Sequence, residues 1–320
     1  MANSADPAIR VCAQRTAGLT AALRSLPSIE PEPTTFEADS GLCRQIFCIC
    51  GDGGELPGDL RRSEGDPPTG DPLIDEAYGG VGATYRFFKE KFDRDSIDNK
   101  GMPIAVTICE GPGFSNSLWN GNQLICGDGD GKTFHHFTSG VDVIALGLAH
   151  RVVSIDCELE PSGQSGALHE HFADVLGSMA RQYARKQRFS QADWLIGRDI
   201  VTRAETRLAI RSLMAPGTAF INDPFLGTDP QRCRMQDLYS GPNEVHVNSG
   251  IPNHAFYLAA KEIGGYSWDT IGNVWYQAMQ RLDRTAQFSD LAGLTRDIAR
   301  VGYSAKVYQS IDLGWKRVDL

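Results

Sequence analysis

The sequence predicts an α+β fold with a strand-rich first part and a helical second part. Up to about residue 140, short apolar runs such as PIAVTICEG and NQLICG alternate with turns rich in Gly and Pro. From residue 141 onward, apolar residues recur at helical spacing instead. A strongly apolar helix, predicted over residues 141–155 and beginning VDVIALGLAHRVVS, lies between the two parts.

The order of these elements suggests three regions. Residues 1–35 form an N-terminal extension that ends in the Pro-rich stretch LPSIEPEPTT. Residues 36–140 form a β-rich N-terminal domain, with one helix predicted within IDEAYGGVGATYRFFKEKFDRDSID, residues 74–98. Residues 141–320 form a helical C-terminal domain that includes the central helix 141–155. Its further predicted helices are 166–187, 199–213, 253–263, 268–281, 289–300 and 303–313.

Composition limits the partners and the compartment. The 320 residues carry a net charge of −9, which argues against nucleic acid or an anionic membrane as a partner. No apolar run approaches the ~20 residues of a membrane span. The eight cysteines are too sparse for a disulfide scaffold, and the first residues show no secretory signal pattern, so we expect a cytoplasmic protein with reduced thiols. Nothing in the sequence indicates an oligomeric state.

Each of two predicted helices carries a pair of residues at a four-residue spacing, which places the pair on one helix face. On the first helix, Leu146 and His150 share a face, and Gly147 stands in mid-helix at a cost of ~1 kcal/mol relative to alanine. That glycine implies either the close approach of another group or the loss of a larger side chain. On the next helix, Glu170 and Asp174 share a face. A histidine and a carboxylate on successive helices are typical of a metal site.

Several long segments resemble the thermolysin-like neutral metallopeptidases. The resemblance covers about residue 60 to the C-terminus, and the segments that carry it include FFKEKFDRDSIDNKGMP, NSLWNGNQLICGDGDG, SGQSGALHEHFADVLGSMARQYA and NEVHVNSGIPNHAFYLAAKEIGG. It implies a thermolysin-like two-domain fold, in which a β-rich and a helical domain flank a cleft with the zinc helix at its floor.

The resemblance implies roles for the residues of the two helices. His150 occupies the position of the second zinc histidine and Glu170 that of the third ligand. Asp174 matches the carboxylate that orients a zinc histidine. The first zinc ligand and the general base of the H-E-x-x-H motif are replaced by Leu146 and Gly147.

The same resemblance implies substrate contacts elsewhere in the chain. His246 matches the histidine that stabilises the tetrahedral intermediate, and Arg211 the arginine that binds the substrate carbonyl. Asn116–Ser117 match the edge that pairs with the peptide backbone. Pro161 replaces a tyrosine that assists this histidine, and Gly241 replaces an aspartate that fixes its tautomer. The side chains available to replace that aspartate are Glu244 and Asn243.

The calcium-binding carboxylates of the family are also altered. Three of the positions have lost their carboxylates and three have kept them. The altered positions are Arg181, Leu195 and Arg198, and the kept carboxylates are Asp142, Asp193 and Asp199. Arginine can neutralise a leftover aspartate in place of a cation, and simple drift after loss of the site is an equal alternative. We therefore expect no cofactor, with the zinc and calcium sites both degraded.

These replacements lead to three functional hypotheses. The first is a metal-independent, repurposed enzyme that acts on a small or peptide-derived substrate. In this enzyme His246, Glu170 and His150 perform acid-base chemistry, Arg211 holds a carbonyl or carboxylate, and the altered helix floor is apolar and roomier. The alternative is a non-catalytic protein that binds peptides along the edge strand. The second alternative is a residual zinc metallopeptidase with a third ligand from His169 or His246.

Overall fold

The computed structural model describes residues 11–14, 16–17, 41–50, 55–110, 113–202 and 208–320. These residues fall into two compact units. The first unit lies within Met1–Arg151, Gly197–Leu208 and Asn222–Gly227, and the second comprises Val152–Ile196, Ala209–Ile221 and Thr228–Leu320. Most of the predicted N-terminal extension lies outside the described residues. The division of the chain into residues 36–140 and 141–320 remains a prediction.

A five-stranded mixed sheet forms the centre of the first unit. Its strand order is β2-β1-β3-β5-β4, with the inner pairs β1–β3 and β3–β5 parallel and the outer pairs antiparallel. The strands are β1 (Arg44–Cys50), β2 (Asp59–Ser63), β3 (Ile104–Glu110), β4 (Ser117–Trp119) and β5 (Leu124–Gly127). Strand β4 therefore lies at one edge of the sheet.

Helix α1 (Pro72–Phe92) covers this sheet. It begins where the Asp71 side chain accepts a hydrogen bond from the Leu73 amide, with proline at the first helical position. It ends at Asp93, which adopts a left-handed conformation. Along its length, Gly80 lets Ile144 of the next helix approach closely, because a Cβ there would lie 2.4 Å from the Ile144 Cδ1.

Helix α2 (Val141–Asp156) confirms the predicted helix 141–155 to within one residue at its end. Between Asp142 and Val153 it is buried, except at three partly exposed positions. These positions are Leu146, His150 and Arg151.

The second unit is built mainly from helices. They are α3 (Gly163–Ala184), α4 (Glu244–Asn248), α5 (Gly250–Ile263), α6 (Thr270–Met279), α7 (Phe288–Gly302) and α8 (Ala305–Lys316). Helices α5 and α8 pack closely, since a Cβ on Gly314 would lie 2.8 Å from the Ala255 carbonyl oxygen. The indole rings of Trp275 and Trp315 stack in the interior at a centroid distance of 5.8 Å.

The predicted helix 199–213 is wrong for the part of it that the structure describes. Residues 199–202 and 208–213 contain no helix; instead β7 (Arg211–Ser212) pairs with β6 (Leu195–Ile196). The Ile210 amide also donates to the Ile196 carbonyl. These non-local hydrogen bonds satisfy the backbone, so local helical periodicity does not decide the conformation.

Candidate functional site

Helix α2 exposes two of the predicted site residues on one face. Leu146 and His150, one turn apart, are both partly exposed, whereas Gly147 is buried. The side chain of Leu146 carries no donor or acceptor atom, and His150 is the titratable group on this face.

Gly147 is explained by close approach of a neighbouring strand. A Cβ built there would lie 2.4 Å from Leu124 Cδ1 of β5 and 3.5 Å from Ser117 Oγ of β4. Leu124 is fully buried. Of the two explanations open from the sequence, the structure favours close approach. The expectation of extra room at this position is wrong, because Leu124 fills that space.

The residues predicted to pair with a peptide backbone lie at the start of edge strand β4. The Asn116 side-chain oxygen accepts a hydrogen bond from the Ser117 amide at 2.9 Å, and the Asn116 carbonyl accepts from the Gly127 amide at 2.9 Å. Just before them, the Thr16 hydroxyl donates to the Gly113 carbonyl and accepts from the Ser115 amide, at 2.9 and 3.1 Å. A described part of the N-terminal extension therefore contacts the turn that leads into β4, which the sequence did not predict.

Four of the predicted site residues come together within the second unit. Helix α3 presents Glu170 and Asp174, strand β7 presents Arg211, and helix α4 presents His246. Arg211 Nη1 donates a short hydrogen bond to Asp174 Oδ1, and its Nη2 lies 3.6 Å from Glu170 Oε2. His246 Nδ1 lies 2.9 Å from the same Glu170 oxygen.

The contacts of His246 Nδ1 determine which of its nitrogens faces solvent. Nδ1 lies 2.9 Å from Glu170 and 3.3 Å from Arg211 Nη2, and it can donate to the carboxylate or accept from the guanidinium. The shorter contact favours Nδ1–H donating to Glu170, which leaves Nε2 for a ligand. Glu244 does not fill this role, because its Oε1 accepts from the Gly163 amide at the start of α3. Among these side chains, Glu170 is therefore the one that contacts His246 Nδ1.

A chain of buried polar side chains continues from Asp174 into the interior. Asn253 Nδ2 donates to Asp174 Oδ2 at 2.8 Å, and Asn253 Oδ1 lies 2.7 Å from His171 Nδ1. The Trp275 indole N–H donates to His171 Nε2 at 3.0 Å. His171, Asn253 and Trp275 are almost entirely buried. The sequence reasoning missed them as site residues, and the available signal was Asn253 in the first turn of the mostly apolar helix α5.

Burial and charge act in opposite directions in this group. Burial lowers the pKa of His171 to about 3, so the ring is neutral. Burial raises the pKa of Asp174, although Arg211 and Asn253 oppose that rise. Burial disfavours the charged Arg211 guanidinium, but the Asp174 and Glu170 carboxylates more than offset this and raise its pKa.

The residues at the family's calcium positions also form contacts of their own. Arg181, almost fully buried, binds both carboxylate oxygens of Asp193, at 2.7 and 3.1 Å. In the first unit, Asp142 is fully buried and accepts from the Gly197 amide at 2.9 Å. The Asp199 carbonyl accepts from the Ser139 hydroxyl at 3.3 Å.

Two of the donors that the resemblance implies for a zinc ion are present, His150 on helix α2 and Glu170 on helix α3. Leucine has no donor atom at the first ligand position, and the Glu170 carboxylate is bound to Arg211 and His246.

The mixed sheet, the helical unit and the cluster of Glu170, Arg211 and His246 define an α+β protein of the thermolysin-like class. Family models agree: the catalytic domain of thermolysin metallopeptidases matches residues 70–154, and their alpha-helical domain matches residues 157–320. The chain belongs to the thermolysin metallopeptidase family.

Relatives cover nearly the whole chain. An extracellular metalloprotease of Pectobacterium carotovorum subsp. carotovorum is 39% identical over 99% of this chain and 92% of its own length. Protease PrtS of Photorhabdus sp. is 41% identical over 83% of this chain and 73% of its own length. The structure of the precursor of protealysin, a metalloproteinase from Serratia proteamaculans, has a TM-score of 0.87 and 36% identity over 99% of this chain and 95% of that one.

These findings correct three expectations drawn from the sequence. A repurposed, metal-independent enzyme is contradicted, because the full-length relatives are proteases. The expectation of no cofactor is contradicted as well, since the family and its members are metallopeptidases. The cytoplasmic location is contradicted by relatives that are extracellular metalloproteases. Among the described residues, none of the helices combines the length and apolarity needed to cross a membrane.

Proposed function

We propose that this chain acts on peptides, binding an extended peptide and hydrolysing it as a peptidase of its family. The observation that carries the proposal is the cluster in which Arg211 is held by Asp174 beside His246 and Glu170. The full-length similarity to an extracellular metalloprotease supports it. Asn116 and Ser117, at the start of an edge strand, would pair with the peptide backbone.

Each residue of the cluster has a task in this proposal. Arg211 donates a hydrogen bond to the carbonyl oxygen of the substrate, and Asp174 keeps the guanidinium in place. As an imidazolium, His246 retains Nδ1–H on Glu170 and offers Nε2–H to the oxyanion that forms when a water molecule attacks the carbonyl carbon. The C–N bond then breaks as a proton from that water reaches the departing amine nitrogen. Donors aimed at developing charge are worth ~10²–10³-fold in rate per donor.

We also propose that this chain lacks the H-E-x-x-H motif and therefore hydrolyses peptides more slowly than family members that have it. Leu146 and Gly147 supply neither a metal ligand nor a proton acceptor on helix α2. A general base contributes ~10²–10⁴-fold, so we expect turnover slower by at least that factor than in family members with the glutamate. The same replacements favour a second candidate function, in which the protein binds peptides without cleaving them.

The test is cleavage and binding of an internally quenched heptapeptide by the full chain, with added zinc and with a chelator. We expect slow cleavage and measurable binding, with cleavage reduced at least tenfold in His246→Ala. His135→Ala, which removes an exposed histidine of the first unit, is the matched control and should behave like the unaltered chain. Binding without cleavage would establish the second candidate. Absence of both would overturn the proposal.

A further inference from the structure

Three buried side chains behind Asp174 form hydrogen bonds whose direction the geometry determines. The His171 ring contacts Trp275 through Nε2 and Asn253 through Nδ1. Because the Trp275 indole N–H can only donate, His171 Nε2 must accept, and the proton must be on Nδ1. Nδ1–H then donates to Asn253 Oδ1 at 2.7 Å.

The direction continues through the asparagine to the carboxylate. With its oxygen engaged by His171, the Asn253 amide must direct its NH₂ group at Asp174 Oδ2, where the distance is 2.8 Å. The other oxygen of Asp174 accepts from Arg211. Both carboxylate oxygens are thus held by donors, and the carboxylate can move only if one of these hydrogen bonds breaks.

We propose that Trp275, His171 and Asn253 form a one-way hydrogen-bond relay that positions Arg211. They are positioning residues, because they act on Arg211 through Asp174 and do not contact a substrate. The functional consequence rests on the proposed contact between Arg211 and a peptide carbonyl. The relay itself concerns the tautomer of His171 and the placement of the guanidinium, which can be measured without a peptide.

Loss of the Trp275 hydrogen bond would reverse the direction of the other hydrogen bonds in the relay. If Trp275 no longer donates, His171 is free to carry its proton on Nε2, and Nδ1 becomes an acceptor. The Asn253 amide then flips to donate to Nδ1, and its oxygen faces the Asp174 carboxylate. Two acceptors repel at that distance, so Asp174 shifts and Arg211 loses its fixed position. Three residues of the hydrogen-bond chain separate the Trp275 indole N–H from Arg211. Loss of that N–H would nevertheless change the position of the Arg211 guanidinium.

The chain offers a closely matched pair of variants. Trp275→Phe removes the N–H at the start of the relay. Trp315→Phe is the control, because Trp315 is also fully buried, stacks on Trp275, and donates its own buried hydrogen bond to Thr295 Oγ1 at 2.9 Å, outside the relay. A purely structural effect of losing a buried indole hydrogen bond should appear in both variants alike.

Three measurements on the full chain test the relay. Nitrogen NMR of His171 should show the Nδ1–H tautomer in the unaltered chain and in Trp315→Phe, and a mixture in Trp275→Phe. The guanidinium N–H signals of Arg211, assigned with Arg211→Lys, should be resolved in the first two proteins and averaged in the third. Affinity for the quenched heptapeptide should fall in Trp275→Phe alone, by roughly twofold to 150-fold, which is the range of couplings within one hydrogen-bond network.

Asn253→Ala provides an independent test of the relay if Trp275→Phe does not fold. Asn253→Ala cuts the relay one step from Asp174 and should average the Arg211 signals in the same way. Its control is Gln182→Ala, which removes a buried amide of helix α3 bound to Ser178 and Ser267. In the Asn253→Ala background, adding Trp275→Phe should cause no further loss of affinity, because the relay is already cut.

The outcomes separate the relay from the proposed function. An Nε2–H tautomer in the unaltered chain would overturn the relay, and so would Arg211 signals that stay resolved in both Trp275→Phe and Asn253→Ala. If the unaltered chain does not bind the peptide but the NMR results are as expected, the relay stands and the proposed function fails. If the peptide binds equally well to Trp275→Phe and Trp315→Phe, the relay does not position Arg211 for substrate.

Discussion

The close contact between Gly147 and Leu124 predicts that Gly147→Ala destabilises the unaltered chain but stabilises a chain that carries Leu124→Ala. In helix α2, Gly147→Ala places a methyl group at the position that lies 2.4 Å from Leu124 Cδ1. That is well inside van der Waals contact, and Leu124 is fully buried, so its side chain must move against its neighbours. The substitution therefore has a packing cost as well as a gain in helix propensity.

The expected change in the free energy of unfolding is the gain in helix propensity minus the cost of overpacking. Replacing a mid-helix glycine by alanine gains about 1 kcal/mol, and overpacking a buried site costs about 1–3 kcal/mol. We expect Gly147→Ala to lower the free energy of unfolding by about 0–2 kcal/mol. Leu124→Ala alone should lower it by about 2–5 kcal/mol. In the Leu124→Ala background the clash is absent, so adding Gly147→Ala should raise the free energy of unfolding by about 1 kcal/mol.

Urea titrations of the four proteins of this double-mutant cycle measure these values. Gly79→Ala is the control, because Gly79 lies at an exposed position of helix α1 with open space around its Cβ position, and alanine there should simply stabilise. If Gly147→Ala stabilises the unaltered chain as much as it stabilises Leu124→Ala, close packing is not the reason for the glycine, and the argument fails.

The same contact limits any attempt to restore the family's motif. A glutamate at position 147 begins with the same Cβ, so Leu146→His with Gly147→Glu should add little peptidase activity while Leu124 is intact. Adding Leu124→Ala should raise zinc-dependent cleavage of the quenched peptide at least tenfold above the double variant, since a general base contributes ~10²–10⁴-fold. Equal activity with and without Leu124→Ala would contradict the steric argument.

Two further predictions concern charged side chains of the second unit. Arg211→Lys should weaken peptide binding about tenfold, because lysine lacks the planar guanidinium group that can donate to Asp174 and to a carbonyl at the same time. Unchanged affinity would show that a single positive charge is sufficient. The Lys316 and Arg296 side chains hold the pKa of Asp312 below its usual 3.8. A lowered pKa contributes stability above pH 3.8 that is lost as the pH falls further, so Asp312→Asn should lower the free energy of unfolding by about 0.5–1 kcal/mol at pH 7. The variant should also lose less stability than the unaltered chain between pH 4 and lower pH. An equal loss of stability in both proteins would refute the role given to Asp312.

The sequence predicted the helices well because their pattern is local. Helix 141–155 follows from a continuous apolar run, and the structure extends it by one residue. Arg211 was placed in a helix for the same local reason, and that prediction failed because β7 is held by hydrogen bonds to β6, about fifteen residues earlier in the chain.

The candidate site depended on information that no local pattern contains. Glu170, Arg211 and His246 are separated by tens of residues, and the family resemblance, not their spacing, indicated that they meet. The relay from Trp275 was beyond prediction, because its direction depends on which ring nitrogen of His171 accepts a proton donor from a distant helix. The loss of zinc chemistry was inferred from Leu146 and Gly147 alone, and the full-length metalloprotease relatives corrected that inference.

The most direct test of the account is the hydrolysis of an internally quenched peptide by the full chain with one equivalent of zinc, compared with His246→Ala. We predict slow cleavage that His246→Ala reduces at least tenfold while peptide affinity changes less. A chain that neither binds nor cleaves any member of a varied set of such peptides would contradict it.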